Sequence, residues 1–439
     1  MSNTRPSYSQ QNDYRLLRLE IVSNNGGGSI DLMPQFIELD IFESIYETKM
    51  VGELLLVDAL NYSETIPIVG NETIFISFVT PNMGKPINIV GKVFAVLGKA
   101  RTVNEKSETY KLQFVSEVQF ENSKLKISGA KAGTIGSIAD QIYDENFGVR
   151  AGSEKRYLPL TIDPINNKIF KFVFPYWSPL YAINWLSKRS FSPGPLTKSK
   201  PSCFMFYEDV DGFHIADLIY RMETAPISMT YRYEPMNQQN FSNVNKHFEK
   251  VQDYQVDSYF DRLGEYRTGM YSGYLMTHDI TRKKMHYHEF DYHDAFRKTE
   301  HLNYNKLISS NDKSFTNAKM GFMNCLPVQT NRFDSIKDID VPENFFMERA
   351  SILRQFNTLK MTLLVNGNSS LRLLDVIDFD IPKAGYLGDF ETNWKDSYLS
   401  GRYMIVSLKH MINREVGYNT TIGIAKDSIT GGIPDRYGF

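Results

Sequence analysis

The sequence GKVFAV at residues 91–96, followed by YKLQF at residues 110–114, has a counterpart near the other end of the chain. There, GRYMIV at residues 401–406 precedes TTIGI at residues 420–424. Each pair combines strand-forming residue types with a basic residue near its start. We therefore predict a β-hairpin at each of the two places.

The likeness extends upstream of the hairpins, so we interpret it as an internal repeat. TIFISFVTP at residues 73–81 resembles DVIDFDIP at residues 375–382, and without a gap Lys99 aligns with Lys409. In both copies a strand ends at proline, a loop follows and a hairpin closes the unit. The pattern predicts two related small β-domains in one chain, with chance likeness between alternating strands as the alternative. A trimer of such a chain would display six similar domains around a threefold axis.

The first copy is predicted to form a small β-domain over residues 15–126. Residues 37–41 and 74–78 alternate apolar and polar side chains, which is typical of strands with one face in water. Five or more short strands in this range favour a small barrel or sandwich. Residues 1–14 begin with a polar run and are predicted to be a flexible N-terminus.

The next segment has a different pattern, which predicts a mixed α/β domain over residues 127–225. Apolar residues fall at helical spacing within residues 135–143, and the Ser-Pro pair at residues 178–179 is a typical helix start. An Asp-Gly pair at residues 211–212 lies between two apolar runs and indicates a hairpin.

The second half of the chain is harder to interpret until its last strands. Residues 236–345 are rich in Asn, Gln, Tyr, His and Lys, and their weak periodicity indicates an irregular domain or a large insertion. Beyond them we predict a helix with Phe346, Ala350 and Leu353 on one face. Residues 429–439 are predicted to be a flexible tail.

The composition is that of a soluble globular protein. Of 439 residues, 42% are hydrophobic and 23% charged, and the formal net charge of −2 gives no long-range field that favours DNA or an anionic membrane. The 26 Tyr and 29 Phe favour a β-rich fold. Cys203 and Cys325 form neither a disulfide framework nor a metal motif. Because the sequence has no signal-peptide pattern and no membrane-spanning apolar stretch, we expect synthesis in the cytosol.

The strongest chemical alternative is the group of histidines from His278 to His301, which holds five of the eight in the chain. The candidate metal ligands in it are His286, His288, His293, Glu289 and Asp291. On a helix, the five-residue spacing from His288 to His293 does not place both side chains on one face. On a strand His286 and His288 would share a face, but a third ligand is not obvious. We interpret the group as a polar surface or an interface, and a metal-dependent cell-wall hydrolase is the competing function.

The remaining chemical signals favour structural roles. Residues 26–28 (GGG) lack the Lys and Ser/Thr of a phosphate-binding loop and indicate a turn. Glu38, Asp40, Glu43 and Glu47 are interpreted as the water-facing side of alternating strands and not as acid–base groups. The sequence therefore predicts a protein that is not an enzyme, with no catalytic residue, no cofactor, no cofactor-binding residue and no metal ligand.

Several short motifs, taken in order and spacing, resemble the baseplate hub proteins of contractile-tailed bacteriophages. They are DVDGF at residues 209–213, GMYS at 269–272, THDI at 277–280, KM at 360–361, NGN at 366–368, LDVI at 374–377 and SGRY at 400–403. Together with the repeat, the likeness covers the chain from about Ile37 to Ser428. The motifs carry no chemistry, so the resemblance concerns architecture.

The resemblance implies a homotrimer in which two tube-like barrels per chain form a collar of pseudo-sixfold symmetry. The second barrel would be discontinuous and would combine residues 226–260 with residues 346–428, leaving residues 261–345 as an outer domain or insertion. The expected fold class is therefore α+β and β-dominated, with two related small β-barrel domains and outer mixed α/β domains.

The resemblance also implies the partners. A hub lies between the hexameric tail tube, or its initiator protein, and the trimeric spike, with baseplate wedge proteins around it. It would contact neither a membrane nor a specific nucleic-acid sequence, although the genome would pass through its lumen. The expected location is the tail baseplate of a virion assembled in the host cytoplasm. The alternative within this class is the hub or spike base of a related contractile injection system.

Overall fold

The computed structural model of the chain has a β-dominated α+β fold, as the sequence predicts. The described residues are 12–24, 28–59, 62, 68–81, 83–101, 107–148, 158–166, 168–192, 202–233, 248–279, 283–309, 322–328, 345–384 and 394–433. Residues 26–27 of the predicted turn, most of the predicted flexible N-terminus and residues 434–439 of the predicted tail lie outside them.

The strands and helices alternate in groups along the chain. The strands are β1 (Arg15–Val22), β2 (Ser29–Asp31), β3 (Phe36–Ser44), β4 (Val51–Asp58), β5 (Thr73–Thr80), β6 (Met83–Arg101), β7 (Glu108–Ser116), β8 (Ile127–Gly133), β9 (Leu160–Ile162), β10 (Phe170–Trp177), β11 (Phe204–Asp209), β12 (Gly212–Asp217), β13 (Ile227–Arg232), β14 (Val251–Tyr259), β15 (Ser272–Asp279), β16 (Lys284–Asp291), β17 (Phe322–Val328), β18 (Leu359–Asn366), β19 (Val376–Asp380), β20 (Gly401–Asn413) and β21 (Gly417–Lys426). The helices are α1 (Glu117–Asn122), α2 (Ile135–Phe147), α3 (Pro179–Ser187), α4 (Leu218–Thr224), α5 (Arg262–Arg267), α6 (Tyr292–Phe296) and α7 (Phe346–Thr358).

Thirteen strands form one large sheet, antiparallel except where β13 lies beside β19. Its main path runs β14-β18-β21-β20-β3-β4-β7-β6-β5-β1-β2, and β19 also pairs with β20. The sheet contains two sets of five strands with the same connectivity, β3-β4-β7-β6-β5 and β14-β18-β21-β20-β19. In each set the two strands that come first in the sequence lie side by side in the sheet. The other three strands lie next to them in the reverse of their sequence order. The internal repeat is therefore real, and it extends to five strands.

The gapless alignment of the two hairpins is only half right. A β-bulge follows the pair Val93–Phe114 in the first copy and the pair Ile405–Ile424 in the second. Phe114 and Ile424 are the residues that the gapless alignment matches, but Val93 corresponds to Ile405 and not to Tyr403. The strands are offset because the first hairpin is longer than the second, so Lys99 and Lys409 are not equivalent.

The first half of the sheet curls around its own core. If its seven strands were flat, β2 and β3 would lie about 29 Å apart, since neighbouring strands are about 4.8 Å apart. Residues 32–35 are all that separates these two strands, and so short a link spans at most about 18 Å. Apolar side chains from all seven strands accordingly form one buried cluster, which includes Leu19, Ile30, Leu39, Leu54, Ile76, Val93 and Leu112.

The second half curls in a similar way. An isolated bridge between Arg232 and Lys250 brings the end of β13 to the start of β14, at the far side of this half. No continuous ladder among the described strands closes either half. The prediction of two separate barrels therefore needs correction: in the described residues the copies are two curled parts of one sheet, because β3 pairs directly with β20.

Outside the large sheet, the described strands form three small sheets, β8-β10, β9-β12-β11 and β16-β15-β17. The first two pack with α2 and α3 around a common core. The predicted hairpin at residues 211–212 is the turn between β11 and β12. Pro179 is the first residue of α3, although the Ser178 side chain makes no capping hydrogen bond.

Helix α7 forms where it is predicted, but a different face is buried. The buried positions include Met347, Ser351 and Gln355, whereas Phe346 and Leu353 are only partly buried. The Ser351 hydroxyl donates a 2.7 Å hydrogen bond to the Met270 carbonyl oxygen, so polar side chains occupy the inner face with their hydrogen bonds made. Apolar spacing alone does not locate such a face.

Candidate assembly interface

The two halves of the sheet meet at one seam, where β3 pairs antiparallel with residues 407–413 of β20. The register runs from Ser44 opposite Ser407 to Glu38 opposite Asn413. Among the described strands this is the only ladder between the two five-strand sets. The seam is thus a strand-to-strand joint between two topologically equivalent units.

A buried polar group lies on the inner side of the seam. Glu43 and His410 are 2% and 0% exposed, and the His410 Nε2 atom lies 3.6 Å from a carboxylate oxygen of Glu43. His410 Nδ1 is 2.7 Å from the Tyr418 hydroxyl oxygen. The Phe78 ring meets the His410 and Tyr418 rings edge-on. Burial raises the pKa of Glu43, and His410 opposes this effect.

Further contacts hold the halves together, among them an ion pair and a reciprocal pair of hydrogen bonds. On the outer side of the seam, Lys409 Nζ lies 2.9 Å from the Asp40 carboxylate and 5.0 Å from the centroid of the Phe42 ring. At the end of β5, the Thr80 backbone N–H donates to the Ser369 hydroxyl, and the Ser369 backbone N–H donates to the Thr80 hydroxyl. The seam therefore has a backbone ladder, a buried polar group and a reciprocal pair of hydrogen bonds.

The prediction that four carboxylates on alternating strands face water is wrong for one of them, Glu43. Glu47 is exposed and Glu38 and Asp40 are partly buried, but Glu43 is buried. The period-2 pattern contained the signal, because Glu43 follows Leu39 and Ile41 at intervals of two and so shares their inward face. Its buried partner His410 is far away in sequence, and only the pairing of β3 with β20 brings the two together.

The histidines from 278 to 301 do not converge on one point. His286 and His288 lie on β16 and share one face of the strand, as the alternation predicts. His293 is buried in α6, where its Nδ1 atom is 3.0 Å from Lys306 Nζ. His301 is paired with Asp427 at 2.6 Å and stacked on the Phe296 ring. No group of three or more His, Cys, Asp or Glu side chains in the described residues could hold a metal ion.

The outer α/β region is tied to the first half of the sheet by a buried carboxyl group. Glu208 at β11 is 1% exposed and accepts a 2.9 Å hydrogen bond from the Met50 backbone N–H. Burial raises the pKa of Glu208 to about 8. No sequence pattern singled out Glu208, since it lies in a hairpin strand whose six residues are all buried.

Of the strand edges without a partner in the described part of the sheet, two belong to β14 and β6. β14 pairs with β18 on one side only. The outer edge of β6 has no backbone partner beyond Val93, whose N–H donates to the Glu72 carbonyl oxygen and whose carbonyl oxygen accepts from the Asn71 N–H. Both edges carry exposed apolar side chains: Phe94 and Leu97 are each 46% exposed, and Tyr259 is 52% exposed. An open edge with apolar side chains favours pairing with another chain. Separately, none of the described helices is long and apolar enough to cross a membrane.

No protein-family model matches the chain, and no curated protein matches it. Among solved structures it is similar to the tail protein from Neisseria meningitidis MC58, with a TM-score of 0.54 and 9% identity over 94% of this chain and 97% of that chain. It is also similar to the 43 kDa tail protein of prophage MuSo2 from Shewanella oneidensis, with a TM-score of 0.53 and 10% identity over 94% and 99%. This chain has a phage tail protein fold. The predicted resemblance is thus confirmed for the fold, along nearly the whole chain.

Proposed function

We propose that the protein is the structural hub of a phage tail baseplate, a homotrimer of pseudo-sixfold symmetry that joins the hexameric tail tube to the trimeric spike. The observation that carries the proposal is that one chain with a tail-protein fold contains two five-strand units of identical connectivity. Three such chains present six similar units around a threefold axis, which matches a sixfold partner on one side and a threefold partner on the other.

In this proposal each part of the chain has a place in the ring. Residues 15–126 form the first tube-like unit, and residues 226–260 with residues 346–428 form the second. Residues 127–225 and 261–345 are the outer domains, which would face the wedge proteins of the baseplate. The tube or its initiator protein binds above the ring and the spike below, and the genome passes through the lumen.

The proposed role is mechanical and needs no catalysis. A ring fixes the orientation of its partners through the rigidity of its joints, and the seam between β3 and β20 supplies such a joint within each chain. The protein would belong to the virion and would act as a template on which the tube polymerises.

Light scattering on a sizing column tests the oligomeric state. Three copies of the 50.6 kDa chain have a mass of about 152 kDa (3 × 50.6). A trimer over a hundredfold range of loading concentration, alone or after co-expression with the spike protein from the same genome, supports the proposal. A dimer or tetramer, or a monomer even with the spike, would refute it.

A further inference from the structure

The joint at the seam has two components, the outer edge of β3 and residues 407–413 of β20. Each component belongs to one copy of the repeat, so each has an equivalent in the other copy. The equivalent of β3 is β14, because β14 lies beside β18 as β3 lies beside β4. Both strands carry a bulge near their start, between Phe36 and Glu38 in one and between Val251 and Asp253 in the other.

The equivalent of the β20 segment is the second part of β6. β20 pairs with β19 only as far as Met404 and then pairs with β3. β6 likewise pairs with β5 only as far as Lys92, Val93 then bonds to residues 71 and 72, and beyond Val93 the outer edge of β6 has no backbone partner in the described residues. The chain therefore makes the joint once and retains one unused copy of each component.

The register of the unused joint follows from the one that is made. At the seam Phe42 lies opposite Lys409. Leu97 pairs with Lys111 on β7, and Lys409 pairs with Thr421 on β21. Since Lys111 and Thr421 occupy equivalent positions, Leu97 corresponds to Lys409. Ser258 pairs with Lys360 on β18, and Phe42 pairs with Val51 on β4. Since Lys360 and Val51 occupy equivalent positions, Ser258 corresponds to Phe42.

We propose that β14 of one copy pairs antiparallel with residues 94–101 of β6 in a second copy, with Ser258 opposite Leu97. This inference rests on the proposed trimer and specifies its interface. The joint within each chain then alternates with the same joint between chains, so all six units meet in one way, and the free edges of β14 and β6 are covered. A head-to-tail interface of this kind closes into a ring when its rotation allows.

The side chains at the two edges fit this partner. Phe94, Leu97 and Tyr259 are exposed apolar residues on the strands that would meet. A strand edge binds another strand through its backbone, and apolar side chains next to the joint add buried area. A second copy of the chain supplies both features without any other protein.

Disulfide trapping in the full chain tests the joint. The background is Cys325→Ser, which removes the exposed native thiol and leaves the buried Cys203. Leu97→Cys with Ser258→Cys is the test pair. Phe42→Cys with Lys409→Cys, the residues that face each other at the seam, is the positive control and should close within one chain. Cα atoms of directly opposed residues lie within the range that a disulfide requires.

The matched negative control moves one cysteine along the same strand. Val90 is 42% exposed and lies on β6, about 23 Å from position 97 along the strand. After mild oxidation, non-reducing gels should show dimers and closed trimers for the test pair and at least about tenfold less for Val90→Cys with Ser258→Cys. Mixing the two single variants, Leu97→Cys and Ser258→Cys, should give dimers only.

The possible results separate this inference from the proposed function. A trimer by light scattering without cross-linking of the test pair would overturn the strand joint and leave the hub proposal intact. A monomer under all conditions would overturn both. For the unaltered protein, amide hydrogen exchange should be slower in residues 94–98 and 253–259 of the trimer than in a diluted monomer, and equal exchange would contradict the joint.

Discussion

Removing either member of the buried pair Glu43–His410 should destabilise the protein more than removing both. Each side chain is almost fully buried, and the described residues give neither Glu43 oxygen a hydrogen-bond partner. Leucine at position 410 would leave the buried Glu43 carboxyl group without the imidazole that offsets the effect of burial on its pKa. It would also remove the hydrogen bond between the imidazole and the Tyr418 hydroxyl at the seam.

The magnitude follows from the environment of the pair. Breaking a buried charged or polar pair costs about 3–5 kcal/mol, whereas replacing both members by apolar residues is often nearly neutral. We expect a loss in unfolding free energy of about 3 kcal/mol for His410→Leu and for Glu43→Leu. The double variant should lose only about 1–2 kcal/mol, chiefly from the lost hydrogen bond between His410 and the Tyr418 hydroxyl. These losses correspond to a coupling energy of about 4–5 kcal/mol.

Urea unfolding of the four proteins at pH 7 gives this coupling energy as a double-mutant cycle. The matched control is the exposed pair Arg18–Glu20, which lies 2.6 Å apart with side chains 49% and 25% exposed, and whose coupling should stay below about 1 kcal/mol. Additive losses at positions 43 and 410, within about 0.5 kcal/mol, would refute the argument that the two side chains compensate each other across the seam.

Three further perturbations have defined outcomes. Burial raises the pKa of Glu208 from its ordinary value near 4.5 to about 8. Between these two pH values the Glu208 carboxyl group is therefore protonated in the folded protein and ionised in the unfolded chain. Stability should fall across that window as pH rises, by at most about 5 kcal/mol, and Glu208→Gln should flatten urea midpoints measured from pH 5 to 8; an unchanged slope would contradict this. A Cβ atom at Gly52 would overlap the Phe114 ring, so Gly52→Ala should lower the unfolding free energy measured in urea by about 1–3 kcal/mol. Adding Phe114→Leu should recover part of this loss, and equal stability of Gly52→Ala and the unaltered protein would be inconsistent with that packing. Since His286 and His288 have no third ligand in the described residues, purified protein should contain no stoichiometric zinc, and chelator should not change its melting temperature; bound zinc lost on His286→Ala would favour a metal site instead.

The repeat could be predicted because its evidence is local. Alternating residues fix strands, and similar strands in similar order indicate similar units. The first helix of the outer region, α2, could be predicted from its apolar spacing for the same reason. The seam could not, because it depends on which strand edges meet, and strands 300 or more residues apart leave no periodic signal. This explains both the separate barrels that were expected and the role of Glu43 that was missed.

The buried face of α7 shows the other limit. Ser351 and Gln355 face inward because hydrogen bonds are available to them there, and a helix pattern that counts apolar residues shifts the face by one position. The same limit applies to the histidines from 278 to 301. Their clustering in sequence indicates a site, whereas the fold separates them onto β15, β16, α6 and the following loop.

Two equivalent units per chain should build a ring with near-sixfold symmetry and a true threefold axis. Averaged electron-microscopy images of the purified protein, viewed down the ring axis, would show such a ring. We expect an open centre and six inner lobes of two alternating kinds, with outer domains repeating three times. A particle without an open centre, or a ring whose lobes do not number six, would contradict it.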